Sequence, residues 1–160
     1  MEATSFSSSD PATRYGEARS QLQALCDPSE DLISNLANAT ALLRDCIPAA
    51  SWVGFYVRRG AELVLGPFQG KVACTRIPLG RGVCGAAASS QQTVVVPDVE
   101  QFPGHIACDS GSRSEIVVPI VRAGQVVAVL DVDSYELAAF GEVDARGLGA
   151  LAEVMASWAW

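Results

Sequence analysis

The sequence has no long hydrophobic run and few basic residues. Although 49% of its 160 residues are hydrophobic, no window approaches the ~20 consecutive apolar residues of a membrane helix, so we expect no membrane contact. The chain carries 11 Lys and Arg against 18 Asp and Glu, and its net charge is −7. Because nucleic acids bind clustered Lys and Arg, these scattered cations argue against a nucleic-acid partner.

The N-terminal segment also lacks the apolar core and the basic residues of an export signal. Residues 1–12, which include a run of serines, are predicted to form a flexible tail, and residues 13–160 a single domain. Five cysteines without an export signal indicate a cytoplasmic protein, because thiols in that reducing compartment stay free unless they bind metal or act in catalysis.

Helical patterns lie near both ends of the chain. We expect a helix over residues 14–26 and a second over 29–46, because Asp27-Pro-Ser-Glu offers an N-cap, a proline at the first helical position and a following acid. Apolar residues at helical spacing predict a closing helix over 142–158. A short helix is expected over 83–90.

The middle of the chain is predicted to form strands, the first two joined as a hairpin. The expected strands are 51–58, 62–68, 72–77, 93–96, 115–122 and 125–133. Strands in series between terminal helices predict an α+β fold with a mostly antiparallel, six-stranded sheet.

Three of the cysteines lie where a strand or helix meets a loop, and they are the first candidates for chemistry. Cys74, Cys84 and Cys108 are separated by 10 and 24 residues. Cys84 is predicted to lie in the first turn of a helix, where the helix dipole lowers the pKa of a thiol. Cys26 and Cys46, by contrast, are expected to be small buried hydrophobic residues.

Carboxylates lie on the last two predicted strands, and aromatic rings lie on the first. Asp131 and Asp133 share one face of the last strand, and Glu115 begins its neighbour. Because unpaired buried charge is costly, these acids suggest a site for an ammonium group or a shared proton. Trp52 and Tyr56 share a strand face with a glycine between them, which leaves space for a small ligand or is filled by core packing.

A metal site is an alternative use of the same cysteines. His105 with Cys74, Cys84 and Cys108 supplies a Cys3His set for zinc. The chain lacks the two close cysteine pairs typical of structural zinc, so we expect no metal and interpret His105 as a loop histidine bonded to backbone.

Seven segments together resemble the free methionine-R-sulfoxide reductases, small single-domain enzymes built on the GAF fold. The segments are Trp52–Tyr56, Leu65–Gly70, Cys74–Pro78, Gly80–Gly85, Gly104–Asp109, Ser114–Val117 and Leu130–Ser134. Ordinary GAF domains lack the cysteine set, so the resemblance points to this branch of the fold.

The resemblance implies a reaction that needs no cofactor. The Cys108 thiolate would attack the sulfur of free methionine-R-sulfoxide and become a sulfenic acid as methionine leaves. Cys84 would then form a disulfide with Cys108, which thioredoxin reduces. Cys74 would be a secondary or alternative resolving thiol.

The resemblance also implies roles for the other candidates. Glu115 would protonate the sulfoxide oxygen. Asp133 would bind the amino group, and Asp131 would support both. Trp52 and Tyr56 would line the pocket, and the loop at Ile106 and Ala107 would offer backbone N–H groups to the substrate carboxylate.

Two wider expectations follow. Members of this family are commonly homodimers through the helical layer, so we expect a homodimer. The competing interpretation is a GAF sensor that binds a small molecule without turnover, with its cysteines acting as a redox switch or zinc site.

Overall fold

The chain folds into one antiparallel sheet with helices on both faces. The structure is a computed structural model that describes residues 4–160. Its helices are α1 (Pro11–Leu25), α2 (Leu32–Cys46), α3 (Gly82–Ser90) and α4 (Glu142–Met155). Its strands are β1 (Trp52–Arg59), β2 (Glu62–Gln69), β3 (Arg76–Pro78), β4 (Val94–Val96), β5 (Ser114–Arg122) and β6 (Gln125–Ser134).

The sheet has the strand order β3-β2-β1-β6-β5-β4, and every neighbouring pair is antiparallel. Its main core packs α1, α2 and α4 against one face, where Val53, Phe55 and Val57 of β1 are buried. The second face packs against α3 and against residues of the long loops. The predicted α+β fold with six antiparallel strands is therefore confirmed.

The start of α2 differs from its prediction. Asp31, and not Asp27, caps the helix, because its carboxylate accepts hydrogen bonds from the backbone N–H groups of Ile33 (2.9 Å) and Ser34 (3.1 Å). Asp27 instead closes a turn outside the helix by accepting from the backbone N–H of Ser29 at 2.8 Å. The predicted cap at Asp27 is therefore corrected to Asp31.

Two other elements are shorter than predicted. The strand expected over 72–77 is only Arg76–Pro78, because residues 70–75 form a loop beside the sheet. The closing helix ends at Met155, three residues before Trp158, whose side chain is buried in the main core.

Residues 5–7 lie against the first helix. Residues 1–3 of the predicted flexible tail lie outside the described residues. Phe6 packs on the main core, and the Arg14 guanidinium lies 4.4 Å from the centre of its ring. Helix α1 begins at Pro11, within the predicted tail, capped by Asp10. The flexibility of the segment stays a prediction.

Across residues 4–160, the helices are too short or too polar to cross a membrane.

The observed cap of α2 predicts a difference between two aspartates. Asp31→Ala should lower the free energy of unfolding by about 1 kcal/mol, because it removes the acceptor of two helix N–H groups. Asp27→Ala should lower it by less than half as much, since only a turn is lost. Urea unfolding of both variants checks this, and an equal or larger loss for Asp27→Ala would contradict the cap assignment.

Candidate active site

Strand register brings the predicted acids and aromatic rings to one face of the sheet. Trp52 of β1 lies opposite Asp133 of β6, and Gly54 lies opposite Asp131. On the other side of β6, Glu115 of β5 also lies opposite Asp133. Because directly paired residues of antiparallel strands project to the same face, these side chains converge on one cavity.

Helix α3 and two loops cover this face. The first loop, residues 70–75, carries Cys74, and the second, residues 102–113, carries Cys108. Gly82 begins α3 with a positive φ of 61°, and the Ile106 side chain packs where a Cβ at Gly82 would lie. Ile106 thus joins the second loop to α3 and lines the cavity, whereas Ala107 is exposed and does not.

Two of the three carboxyl groups are buried, the third, Asp133, is half-buried, and the three repel one another. Glu115 and Asp131 are each 6% exposed. Burial raises the pKa of Glu115 well above its ordinary value, and the charge of Asp133 raises it further. Burial and the charge of Glu115 likewise raise the pKa of Asp131. Burial and the charge of Asp131 raise the pKa of Asp133.

One carboxylate oxygen has no partner. Asp131 Oδ1 is buried and, among the described residues, accepts no hydrogen bond. A buried acceptor without a donor costs free energy. A cation or a hydrogen-bond donor that contacts this oxygen in the cavity would therefore be stabilising.

His105 joins the acids, which the sequence did not predict. Its Nε2 lies 3.5 Å from Glu115 Oε2, and its side chain is 15% exposed. Burial lowers the pKa of this imidazole. The available signal was its place three residues before Cys108, but nothing in that spacing identified Glu115 as its neighbour.

The cysteine pairing differs from the implied one. Cys108 is bonded to Cys74, with their Cα atoms 5.6 Å apart, and Cys84 is free. The expected Cys84–Cys108 disulfide is therefore corrected. The physical reason is that Cys84 is buried in the first turn of α3, whereas the first loop brings Cys74 to Cys108. The Tyr56 hydroxyl fixes that loop by donating to the Cys74 carbonyl at 3.0 Å.

The expected activation of Cys84 is also wrong. Burial raises the pKa of its thiol well above the ordinary value, and the charges of Asp131 and Glu115 raise it further. Desolvation and like charge thus outweigh the positive end of the α3 dipole. Cys26 and Cys46 are buried as predicted, and burial raises the pKa of Cys46 to about 12.

The alternative Cys3His metal set is not assembled, because Cys74 and Cys108 are bonded to each other. Another group of potential ligands lies within the described part of the chain. Cys84 Sγ and carboxylate oxygens of Glu115 and Asp131 lie within 4.8 Å of one another. This group shares only Cys84 with the Cys3His set.

The aromatic wall is packed more closely than the sequence suggested. The Trp52 ring stacks on Phe68 with centroids 5.3 Å apart, and it lies 6.1 Å from the Tyr56 ring. A side chain at Gly54 would overlap Trp52 and Phe68. The space over Gly54 is therefore filled by protein, although Trp52 and Tyr56 still line the cavity.

Comparisons with known proteins agree with this fold. The GAF domain family matches residues 28–157. The free methionine-R-sulfoxide reductase of Escherichia coli is 46% identical over 134 residues, which cover 84% of this chain and 81% of that protein. The Saccharomyces cerevisiae enzyme of the same name is 44% identical over 141 residues, 83% of this chain and 78% of that protein.

A solved structure is similar over almost the full chain. It is the free methionine-R-sulfoxide reductase from Neisseria meningitidis in complex with its substrate, with a TM-score of 0.92 and 49% identity. The match covers 98% of this chain and 94% of that one. The chain belongs to the GAF domain family, in the branch of the free methionine-R-sulfoxide reductases.

The buried acids predict a gain in stability when one is neutralised. Glu115→Gln should raise the free energy of unfolding at pH 8 by about 1 to 3 kcal/mol, because it removes one of the mutually repelling carboxylates. The raised pKa values mean that the folded state holds more protons than the unfolded state, so stability falls as pH rises above about 4. The gain should therefore vanish near pH 4.

Urea unfolding of the disulfide form at pH 4, 6 and 8 measures this gain. Glu62→Gln is the matched control, because Glu62 is exposed and paired with Arg76; it should bring no gain. A Glu115→Gln variant that is less stable than the parent at pH 8 would contradict the repulsion.

Proposed function

We propose that this chain reduces free methionine-R-sulfoxide to methionine with electrons from thioredoxin. As a member of its branch the chain is an oxidoreductase. The observation that carries the proposal is a disulfide, Cys74–Cys108, at a cavity whose walls hold two buried carboxyl groups, one half-buried carboxyl group and two aromatic rings.

The charge of the cavity supports a free amino acid as substrate. Asp131 and Asp133 line the cavity together, and the one charged cation in its described wall is Arg81, the residue before α3. Burial lowers the pKa of His105, which leaves that imidazole neutral. An ammonium group would supply the charge and the donor that Asp131 Oδ1 lacks. Methionine within a protein has a neutral amide nitrogen, so the same demand selects against it.

The remaining walls suit the rest of the substrate. Trp52 and Tyr56 offer an apolar surface, and aromatic rings make favourable contacts with sulfur. Glu115, whose raised pKa keeps it protonated to higher pH than an ordinary glutamate, supplies a proton for the sulfoxide oxygen. The neutral imidazole of His105 lies beside Glu115 and orients it.

In the first step the Cys108 thiolate attacks the protonated sulfoxide. The oxygen ends on the Cys108 sulfur as a sulfenic acid, and methionine leaves with the sulfur electron pair. Because Glu115, Asp131 and Asp133 titrate as a coupled set, the proton belongs to the group. Within it we assign Glu115 to the oxygen, Asp133 to the ammonium and Asp131 to both.

In the second step the Cys74 thiol attacks the sulfenic sulfur and expels water, which forms the Cys74–Cys108 disulfide. Thioredoxin then reduces this disulfide by exchange and takes the bond onto its own two thiols. Cys84 is a poorer partner, because burial and neighbouring acids disfavour its thiolate. We therefore assign resolution to Cys74 and not to Cys84.

The proposed setting is the cytoplasm, where thioredoxin is reduced and free thiols persist. We place the proposed homodimer contact on the outer side of α1 and α4. A shallow depression there is lined by Tyr15, Val143 and Gly147, and Val143 is 38% exposed. This contact lies on the helical layer, on the opposite side of the sheet from the cavity.

A thioredoxin and thioredoxin reductase assay that follows NADPH oxidation tests the proposal. Free methionine-R-sulfoxide should be turned over, whereas free methionine-S-sulfoxide and a peptide with the oxidised residue should not. Cys108→Ser should lower kcat by about three orders of magnitude or more, because it removes the nucleophile. Cys74→Ser should release one methionine per chain and then stall.

Cys84→Ser and Cys26→Ser provide the comparison. The rate over many turnovers should fall far less in Cys84→Ser than in Cys74→Ser. Cys26→Ser, remote from the cavity, should have the rate of the parent. No turnover of any sulfoxide by fully reduced protein would contradict the proposal and favour the sensor interpretation. Stalling of Cys84→Ser after one turnover would return the resolving role to Cys84.

A further inference from the structure

Tyr135 is a large aromatic residue at the surface, and the proposed reaction does not use it. It follows directly after β6 and is 47% exposed. Its hydroxyl nevertheless donates a hydrogen bond to Asp109 Oδ2 at 2.7 Å. Asp109 is the neighbour of Cys108 in the chain, so this bond ties the second loop to the end of the sheet.

Lys71 completes the cluster from the first loop. Its Nζ lies 3.3 Å from Asp109 Oδ2 and 5.1 Å from the centre of the Tyr135 ring. The other Asp109 oxygen accepts from the backbone N–H of Gly111 at 2.9 Å, which fixes the carboxylate within its own loop. One carboxylate therefore joins three separate segments of the chain.

Two of these segments are anchored to the sheet. Tyr135 continues from β6, and Trp52 of β1 holds the first loop by donating from Nε1 to the Lys71 carbonyl at 3.0 Å. Lys71 is three residues from Cys74, and Asp109 is one residue from Cys108. Hydrogen bonding to Tyr135 and Gly111 lowers the pKa of Asp109, so its carboxylate is charged at neutral pH.

We propose that Lys71, Asp109 and Tyr135 form a clamp that holds the two cysteine loops together and thereby favours the Cys74–Cys108 disulfide over the two thiols. The three residues are positioning residues, since none of them touches the sulfur atoms. Tyr135 is the part of this clamp that is fixed to the sheet. It contacts Lys71 of the first loop and Asp109 of the second loop.

The physical basis is the effective concentration of one thiol at the other. Two thiols on independent loops meet only in a fraction of the conformations that the loops sample. Contacts that restrict both loops raise this fraction without touching the bond itself. By linkage, the free energy by which the clamp contacts stabilise the disulfide equals the free energy by which the disulfide stabilises those contacts.

The proposal concerns the cysteine pair and does not rest on the proposed substrate. In the exchange that measures it, the protein disulfide and two glutathione thiols give two protein thiols and one glutathione disulfide. Both electrons come from glutathione, and each sulfur of the protein gains one proton. No methionine sulfoxide is needed, so failure of the clamp and failure of the proposed function are separate results.

Tyr135→Phe is the sharpest variant, because it removes one hydroxyl and changes no charge near the thiols. The full-length protein is equilibrated with glutathione buffers at pH 7, quenched and alkylated, and the disulfide fraction is counted by mass spectrometry. Tyr135→Phe should shift the equilibrium toward the dithiol by about two- to fivefold, which is the range for a single exposed charge-assisted contact.

A double-mutant cycle shows whether the effect passes through Asp109. In an Asp109→Asn background, the added Tyr135→Phe change should shift the equilibrium by less than about 1.5-fold. Arg146→Met is the matched surface control, because it breaks an exposed ion pair with Glu142 within α4, on the opposite side of the sheet from the two loops. It should leave the equilibrium unchanged.

Urea unfolding of the reduced proteins checks that each variant is folded. If Tyr135→Phe leaves the equilibrium where the parent has it, the clamp does not hold the cysteines. A Tyr135→Phe shift that keeps its full size in the Asp109→Asn background, or an equal shift in Arg146→Met, would also overturn the proposal.

Discussion

Mutual repulsion among Glu115, Asp131 and Asp133 is the constraint on which the site depends. Burial places these carboxyl groups where charge is poorly solvated, and their pKa values rise as a result. Such a cluster opposes folding at neutral pH. It persists because a large apolar core on the opposite face of the sheet, built with α1, α2 and α4, holds the strands that carry it. The cost in stability is what leaves the cavity able to accept a cation and to donate a proton.

The sheet and the loops have separate tasks. Strands β1, β5 and β6 fix the acids and the aromatic rings by register. The cysteine pair lies on two loops, where Cys108 is exposed and reachable from outside. A reductant can therefore exchange with the disulfide while the acids stay covered. Cys84, in the first turn of α3, is shielded from the same exchange by its burial.

Features that depend on local periodicity could be predicted from the sequence. The two-residue period placed Asp131 with Asp133 and Trp52 with Tyr56, and each pair lines the same cavity. Features that depend on competition between forces could not be predicted so well. The helix dipole suggested an activated Cys84, but burial and neighbouring acids raise its pKa instead.

Contacts between segments distant in sequence gave no local signal. The partner of Cys108 is set by the path of the 70–75 loop, to which Tyr56 is bonded. The positions of Lys71 and Tyr135 around Asp109 depend on three chain segments meeting. Likewise, Asp27-Pro-Ser-Glu matched a helix start in sequence, but the backbone forms a turn there and the helix begins after Asp31.

The central claim is that the thiols of Cys74 and Cys108 supply the two electrons of each turnover and become a disulfide. Disulfide mapping after one equivalent of free methionine-R-sulfoxide, added to fully reduced protein and quenched with acid, tests it most directly. The account predicts a Cys74–Cys108 linked peptide, with Cys84 recovered as an alkylated thiol after unfolding. A Cys84–Cys108 linkage, or a free Cys74 beside oxidised Cys108, would contradict it.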